Sequence, residues 1–151
     1  SKMDRIQLLY YVANRIYFPS YISLHTALNW YGFIPEGVFS ITSVSTKKTN
    51  EFRTPLGNFV YKKVKPSIYF GYSLQTIQNR VFKIATPAKA ILDILYLYPE
   101  YNTKDDFFEL RFNIEEIQTK VNWQEWENYL ALFDQKQLNK RAQLLRKFIA
   151  E

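Results

Sequence analysis

Between Thr86 and Pro99 the chain carries a stretch that is apolar on nearly every side of a helix. Thr86 is a strong N-cap residue, and Pro87 suits the first helical position, where a missing N–H costs nothing. Ala88, Ala90, Ile91, Leu92, Ile94, Leu95 and Leu97 leave only Lys89, Asp93 and Tyr96 as a polar stripe. A helix over 87–97 has almost no face to offer water, so any fold must bury it on most sides. Lys89 and Asp93 stand four apart and are read as a structural ion pair tying the helix to a strand or turn, not as a functional dyad. Tyr98-Pro99 closes the helix.

The residues before it alternate between two kinds of pattern. Asp4 to Tyr17 places Ile6, Leu9, Tyr10, Ala13 and Tyr17 at helical spacing, and Phe18-Pro19-Ser20-Tyr21 breaks that helix. Ser23 is expected to cap a second helix, with Leu24, Ala27, Leu28 and Tyr31 as its buried face and Gly32 as its stop. His25 falls on the opposite face with Asn29 and is expected to be an exposed surface histidine. After a turn at Phe33 to Gly37, Val38 to Thr46 is rich in β-branched residues and predicts a strand. Glu51 to Thr54 and Asn58 to Lys65 predict a hairpin turning at Thr54-Pro55-Leu56-Gly57. Alternation puts Phe59, Tyr61, Lys63 and Lys65 on one face and Val60, Lys62 and Val64 on the other, which suits a strand near a sheet edge. Phe70 to Ile77 and Arg80 to Ala85 predict a second hairpin, turning at Gln78-Asn79.

After Tyr101 the pattern is helical throughout. Thr103 caps a short helix, Ile114 to Val121 forms another, and Asn122 caps a third carrying Trp123, Trp126, Leu130 and Phe133. A last helix over Lys136 to Ala150 turns Leu138, Ala142, Leu145 and Ile149 inward. The expected fold class is α+β. A small mixed or antiparallel basic sheet packs with N-terminal helices and the buried helix 87–97, and a C-terminal helical extension follows. Residues 1–100 form the core and 101–151 the extension packed on it, as a single structural domain.

Charge is segregated along the chain. Residues 41–90 hold nine basic side chains against one acid, Glu51, whereas residues 91–151 hold eight basic and eleven acidic ones. A localised positive field attracts polyanions. Lys47, Lys48, Arg53, Lys62, Lys63 and Lys65 are the candidate surface, contacting DNA backbone or another nucleic acid without reading sequence. A merely solvated, charged sheet edge would look the same. The aromatic share, 18%, is read chiefly as core filler.

Enzymatic chemistry finds little support. Cysteine is absent and His25 is the sole histidine, which removes thiolate chemistry and any zinc site built from His and Cys. Gly32, Gly37, Gly57 and Gly71 are scattered, so no phosphate-binding glycine loop exists. A metal-dependent nuclease needs converging carboxylates, and residues 41–85 offer only Glu51. No enzyme and no cofactor or metal is expected. The N-terminus lacks a signal pattern and no run of about 18 apolar residues exists to span a bilayer, so a cytoplasmic protein without a membrane partner is expected.

Several phrases occur together in a telling order. They are Tyr21-Ile22-Ser23-Leu24 with Ala27-Leu28, then Tyr31-Gly32-Phe33-Ile34-Pro35-Glu36, and Ile41-Thr42-Ser43-Val44-Ser45-Thr46-Lys47-Lys48-Thr49. Thr54-Pro55-Leu56-Gly57 and Ile84-Ala85-Thr86-Pro87-Ala88-Lys89-Ala90-Ile91-Leu92-Asp93 complete the set. Over roughly residues 5–98 the chain resembles the AbiEi family of antitoxins, from bacterial type IV toxin–antitoxin and phage-defence systems. The match is to the C-terminal antitoxin domain; the family's N-terminal winged helix-turn-helix has no counterpart before Ser1. Where the family often has Glu, this chain has Ala88. The resemblance implies a cytoplasmic bacterial protein, encoded with a nucleotidyltransferase-like toxin that it counters, and a part in repressing its own operon. The alternative is a protein-interaction module whose basic face binds an acidic protein partner.

Overall fold

The computed structural model describes residues 2–35, 37 and 39–151, with backbone alone for residues 2–4. Helix α1 (Lys2–Ile16) leads into strand β1 (Ser20–Ile22) and helix α2 (Leu24–Trp30). Four of the next five elements are strands: β2 (Ser40–Ser45), β3 (Asn50–Thr54), β4 (Gly57–Lys63), a 3-10 turn at Pro66–Ile68, and β5 (Tyr72–Ile77). Strand β6 (Arg80–Ala85) runs into α3 (Pro87–Leu97), and α4 (Lys104–Glu109), α5 (Ile114–Lys120), α6 (Trp123–Phe133) and α7 (Lys136–Ala150) complete the chain. The fold is α+β, with a six-stranded mixed sheet in the order β3-β4-β2-β1-β6-β5.

Both expected hairpins form. In the first, Thr54 pairs with Gly57, leaving Pro55-Leu56 as a two-residue turn whose ends are tied by Thr54 Oγ1 donating to Gly57 O at 2.8 Å. In the second, Ile77 pairs with Arg80 across Gln78 and Asn79, both at positive φ, 51° and 65°. That is the two-residue hairpin turn whose twist matches the flanking strands. The expected strand from Val38 is paired from Ser40; Val38 and the turn residue Glu36 lie outside the described residues.

The middle of the sheet was not foreseen. Residues expected only to break α1 instead form β1, three residues long and wholly buried. It runs antiparallel to β2 and parallel to β6, joining two halves that are otherwise separate. Its pairing to β6 is confined to Ile22 opposite Ile84. Next to this short contact, the Asn14 side chain of α1 serves the open main chain of β6, accepting from Lys83 N at 2.6 Å and reaching Lys83 O at 3.5 Å.

Helix α1 covers one face of the sheet, where Tyr10, Phe59, Tyr61 and Phe82 are buried. Tyr61 donates its hydroxyl proton to Ala13 O, fixing α1 over β4. The other face carries α3, with α2 beside it and α6 and α7 behind. All eight residues from Ala88 to Leu95 are buried, the enclosure that an all-round apolar helix demands. Thr86 caps it as expected, accepting from Lys89 N at 3.3 Å, and its hydroxyl also reaches Tyr129 Oη of α6 at 3.2 Å. At the other end Arg141 of α7 donates to Leu95 O, one of the carbonyls a helix terminus leaves without a partner. The accessible surface, 8303 Å², is close to the roughly 8,100 Å² typical of a folded monomer of this mass; the C-terminal helices are packed, not splayed.

Two local expectations are corrected. Ser23 makes no side-chain cap on α2. The helix is entered through Leu24 at φ 62°, and the amide that a cap would serve, Thr26 N, donates to Thr42 Oγ1 of β2 at 3.0 Å instead. Thr42 N returns the bond to Thr26 Oγ1 at 2.8 Å, so the strand caps the helix. His25 is half-buried, not exposed, with its ring edge-on to Tyr98 at 5.7 Å. Burial disfavours its charged form and lowers its pKa.

Candidate nucleic-acid interface

Strand direction gathers charge at one end of the sheet. Because β2 and β4 are parallel, their carboxyl ends lie together, and the amino ends of β1, β3 and β6 lie beside them. Lys47 and Lys48 follow β2, Lys63 ends β4 and Lys65 lies just beyond; all four are exposed. The amino end of β6 adds Arg80, and the last turn of α1 adds Arg15. Glu51, the one acid of residues 41–90, is engaged by Arg53 Nε at 3.3 Å, on the surface.

The segment carrying Lys47 and Lys48 is held in place. Ser45 Oγ donates to Pro19 O at 2.7 Å and accepts from Lys47 N at 3.1 Å. Tyr17 donates to Lys48 O at 2.8 Å, and its ring lies 5.2 Å below Lys47 Nζ. Across the strands, Lys63 N donates to Thr49 Oγ1 at 3.0 Å. The lysine tails are thus presented from a braced backbone, which limits the ordering cost of a contact.

The six expected residues do not form one face. Lys47, Lys48, Lys63 and Lys65 share the sheet end. Pairing of Arg53 with Asn58 puts Arg53 on the same side as Lys62, the α3 side, whereas Lys63 falls on the α1 side. Lys62 is half-buried, with Nζ 6.0 Å from the Tyr98 ring. Arg15 and Arg80 were not among the expected residues because what brings them beside the lysines is strand order, which no local pattern discloses.

Lys89 and Asp93 lie elsewhere, sealed in the interior. Both side chains have 0% exposure and meet at 2.8 Å. Lys89 Nζ spends its three protons on Asp93 Oδ1, Tyr21 Oη and Ile68 O, each at 2.8 Å. Asp93 Oδ2 accepts from Tyr21 Oη at 2.9 Å and Ser23 Oγ at 2.7 Å, which is where the missing helix cap went. Phe70 and Phe133 lie 4.4 and 5.1 Å from Nζ and enclose it. Burial lowers the Lys89 pKa, the Asp93 carboxylate opposing, and burial with that same carboxylate pushes Tyr21 well up. The network joins β1, α3 and the 3-10 turn with every proton used and no open side for a substrate.

Among the described residues no group of three or more His, Cys, Asp or Glu side chains is placed to hold a metal ion. No helix among them is long and apolar enough to cross a membrane. No family model, no curated protein and no solved structure matches the chain.

Proposed function

We propose that this chain is a non-enzymatic antitoxin and regulatory domain of the AbiEi type, and that the lysine-bearing end of its sheet contacts the backbone of nucleic acid. The observation that carries the nucleic-acid half is the convergence of Lys47, Lys48, Lys63 and Lys65, all exposed, at one sheet end, while the one acid of residues 41–90, Glu51, is engaged by Arg53. Charges so placed neutralise phosphates and release counterions without reading bases. The antitoxin half rests on the ordered sequence blocks between residues 21 and 93, with a nucleotidyltransferase-like toxin as the functional partner.

Fluorescence anisotropy with a DNA duplex across a salt series tests the first half. Four engaged lysines give a log–log slope of about −3 to −4, and Lys47→Glu with Lys48→Glu flattens it. Binding absent at low salt, or indifferent to salt, sinks it. Co-expression with a neighbouring nucleotidyltransferase-like gene tests the second half, where unrelieved growth arrest is the adverse result. One observation favours an additional protein contact. Phe108 is 75% exposed beside a cleft lined by Phe107, Phe112, Ile114 and Phe148, an apolar surface that phosphate chemistry does not explain.

A further inference from the structure

Three large apolar side chains near the basic end are left in water by folding: Phe18 is 64%, Leu74 62% and Val81 47% exposed. They line one cleft of about 370 Å³ together with Asn14, Arg15 and Lys83, within the roughly 300–1,000 Å³ of small-ligand sites. No acid lines it. Lys83 Nζ stands 5.3 Å from the Phe18 ring centroid, so a cation and an exposed aromatic occupy the same wall. The arm that carries Phe18 is also tied to the segment that carries Lys47. Pro19 O, Ser45 Oγ and Lys47 N form one hydrogen-bonded chain from the Phe18 arm to the Lys47 segment.

We propose that this cleft seats an unstacked base of single-stranded nucleic acid, with Phe18 as the stacking platform. Arg15 and Lys83 meet the flanking phosphates, and Lys47 and Lys48 continue the backbone track. This rests on the nucleic-acid reading above and narrows it from any polyanion to a single strand. The reasoning is one of chemical match. A row of phosphates needs the cations, and a flat apolar ring needs the aromatic wall. A duplex supplies the first and keeps the second inside its stack. A second copy of this chain, the obvious rival occupant of an apolar cleft beside edge strand β5, would bring a like-charged surface against Arg15 and Lys83.

The test uses the full chain with oligothymidylate, oligouridylate and a DNA duplex of equal length, at matched salt. The expected result is tighter binding of a single strand than of duplex. The two oligomers show whether that strand is DNA or RNA. Phe18→Ala weakens single-strand binding by about 5-fold or more, the loss of one stacked base, and leaves duplex binding and the salt slope unchanged. Phe18→Trp restores affinity, and its indole fluorescence is quenched by the oligomer. Since Phe18 is mostly exposed, both variants melt like the parent chain. Equal affinity for all three nucleic acids, untouched by Phe18→Ala, overturns the base site while leaving the lysine surface standing. Absence of any nucleic-acid binding overturns both. A dimer in sedimentation that Leu74→Lys dissolves also overturns the proposal, since the cleft is then filled by a second copy.

Discussion

Lys89 passes directly across the Cα of Gly71. A methyl group built at Gly71 would stand 2.9 Å from Lys89 Cγ and 3.0 Å from Cδ, and the residue itself is held at φ 79°. Both conditions exclude a side chain: the left-handed backbone strains any L-residue, and the neighbour is the stem of a fully hydrogen-bonded lysine that has nowhere to move. Gly71 O also accepts from Thr86 N at 2.9 Å, just ahead of α3. Gly71→Ala is therefore expected to cost about 2–4 kcal/mol. Urea denaturation measures it, and a loss below about 1 kcal/mol would mean that Lys89 is free to shift.

The buried pair itself makes a sharper prediction. Removing one partner leaves the other charge without its counter-ion in the interior, so Lys89→Met is expected to destabilise by about 3–5 kcal/mol. Replacing both, Lys89→Met with Asp93→Leu, removes the unpaired charge and recovers part of that loss, even though Tyr21 and Ser23 then lose their acceptor. A double-mutant cycle reads the coupling. Strict additivity of the two single substitutions would show that the network is not cooperative.

The sequence disclosed what is local. Ala88 to Leu95 declared their own burial, and Pro55-Leu56 and Gln78-Asn79 marked the hairpin turns by residue type alone. Strand β1 was hidden because three residues show no period. Ser20 to Ile22 is a strand only because β2 and β6 lie on either side. The Ser23 cap failed for a related reason: a buried carboxylate 70 residues away, Asp93, out-competed the local amide. The candidate site was half legible. The excess of lysines over 41–90 was plain, but their division between sheet end and sheet faces follows from the parallel pairing of β2 with β4. Arg15 and Phe18 come near the lysines only through a different pairing, that of β1 antiparallel to β2.

Alkaline pH should unfold this protein early. Burial raises Tyr10 to about 12, and it pushes Tyr21, Tyr31, Tyr61 and Tyr69 up as well, from an ordinary 10.0. Above pH 10 the unfolded chain ionises these groups while the folded chain keeps their protons, so the unfolded state binds fewer protons and stability falls as pH rises. Lys89 works the other way. Its pKa is lowered from 10.5 in the fold, so between that lowered value and 10.5 the unfolded state binds more protons and stability rises. Tyr98, Tyr101 and Tyr129 are raised too, so one lysine against eight tyrosines leaves a net fall, with a limiting slope of about 1.4 kcal/mol per pH unit for each fully buried tyrosine. Denaturation midpoints between pH about 9 and about 11, read with tyrosinate absorbance, check this. A flat profile would contradict the burial of Tyr21 and Tyr61.

Strand alternation separates two adjacent lysines, and with them two outcomes. Lys63 is exposed at the sheet end, where its backbone N–H bonds Thr49 beside Lys47 and Lys48. Lys62 points to the α3 side, half-buried, with Nζ 6.0 Å from the Tyr98 ring. If the sheet end is the binding surface, Lys63→Glu removes a phosphate contact and adds a repulsive charge, weakening duplex binding by about 10-fold and lowering the salt slope by about 1. Lys62→Glu changes affinity less, about 2–3-fold through the longer-range field. It costs stability instead, because the lysine stem and its cation–π contact are lost at a half-buried position. Anisotropy and urea melts on the two variants, side by side, separate these effects. Equal loss of binding from both would place the surface across both faces of β4 rather than at its end.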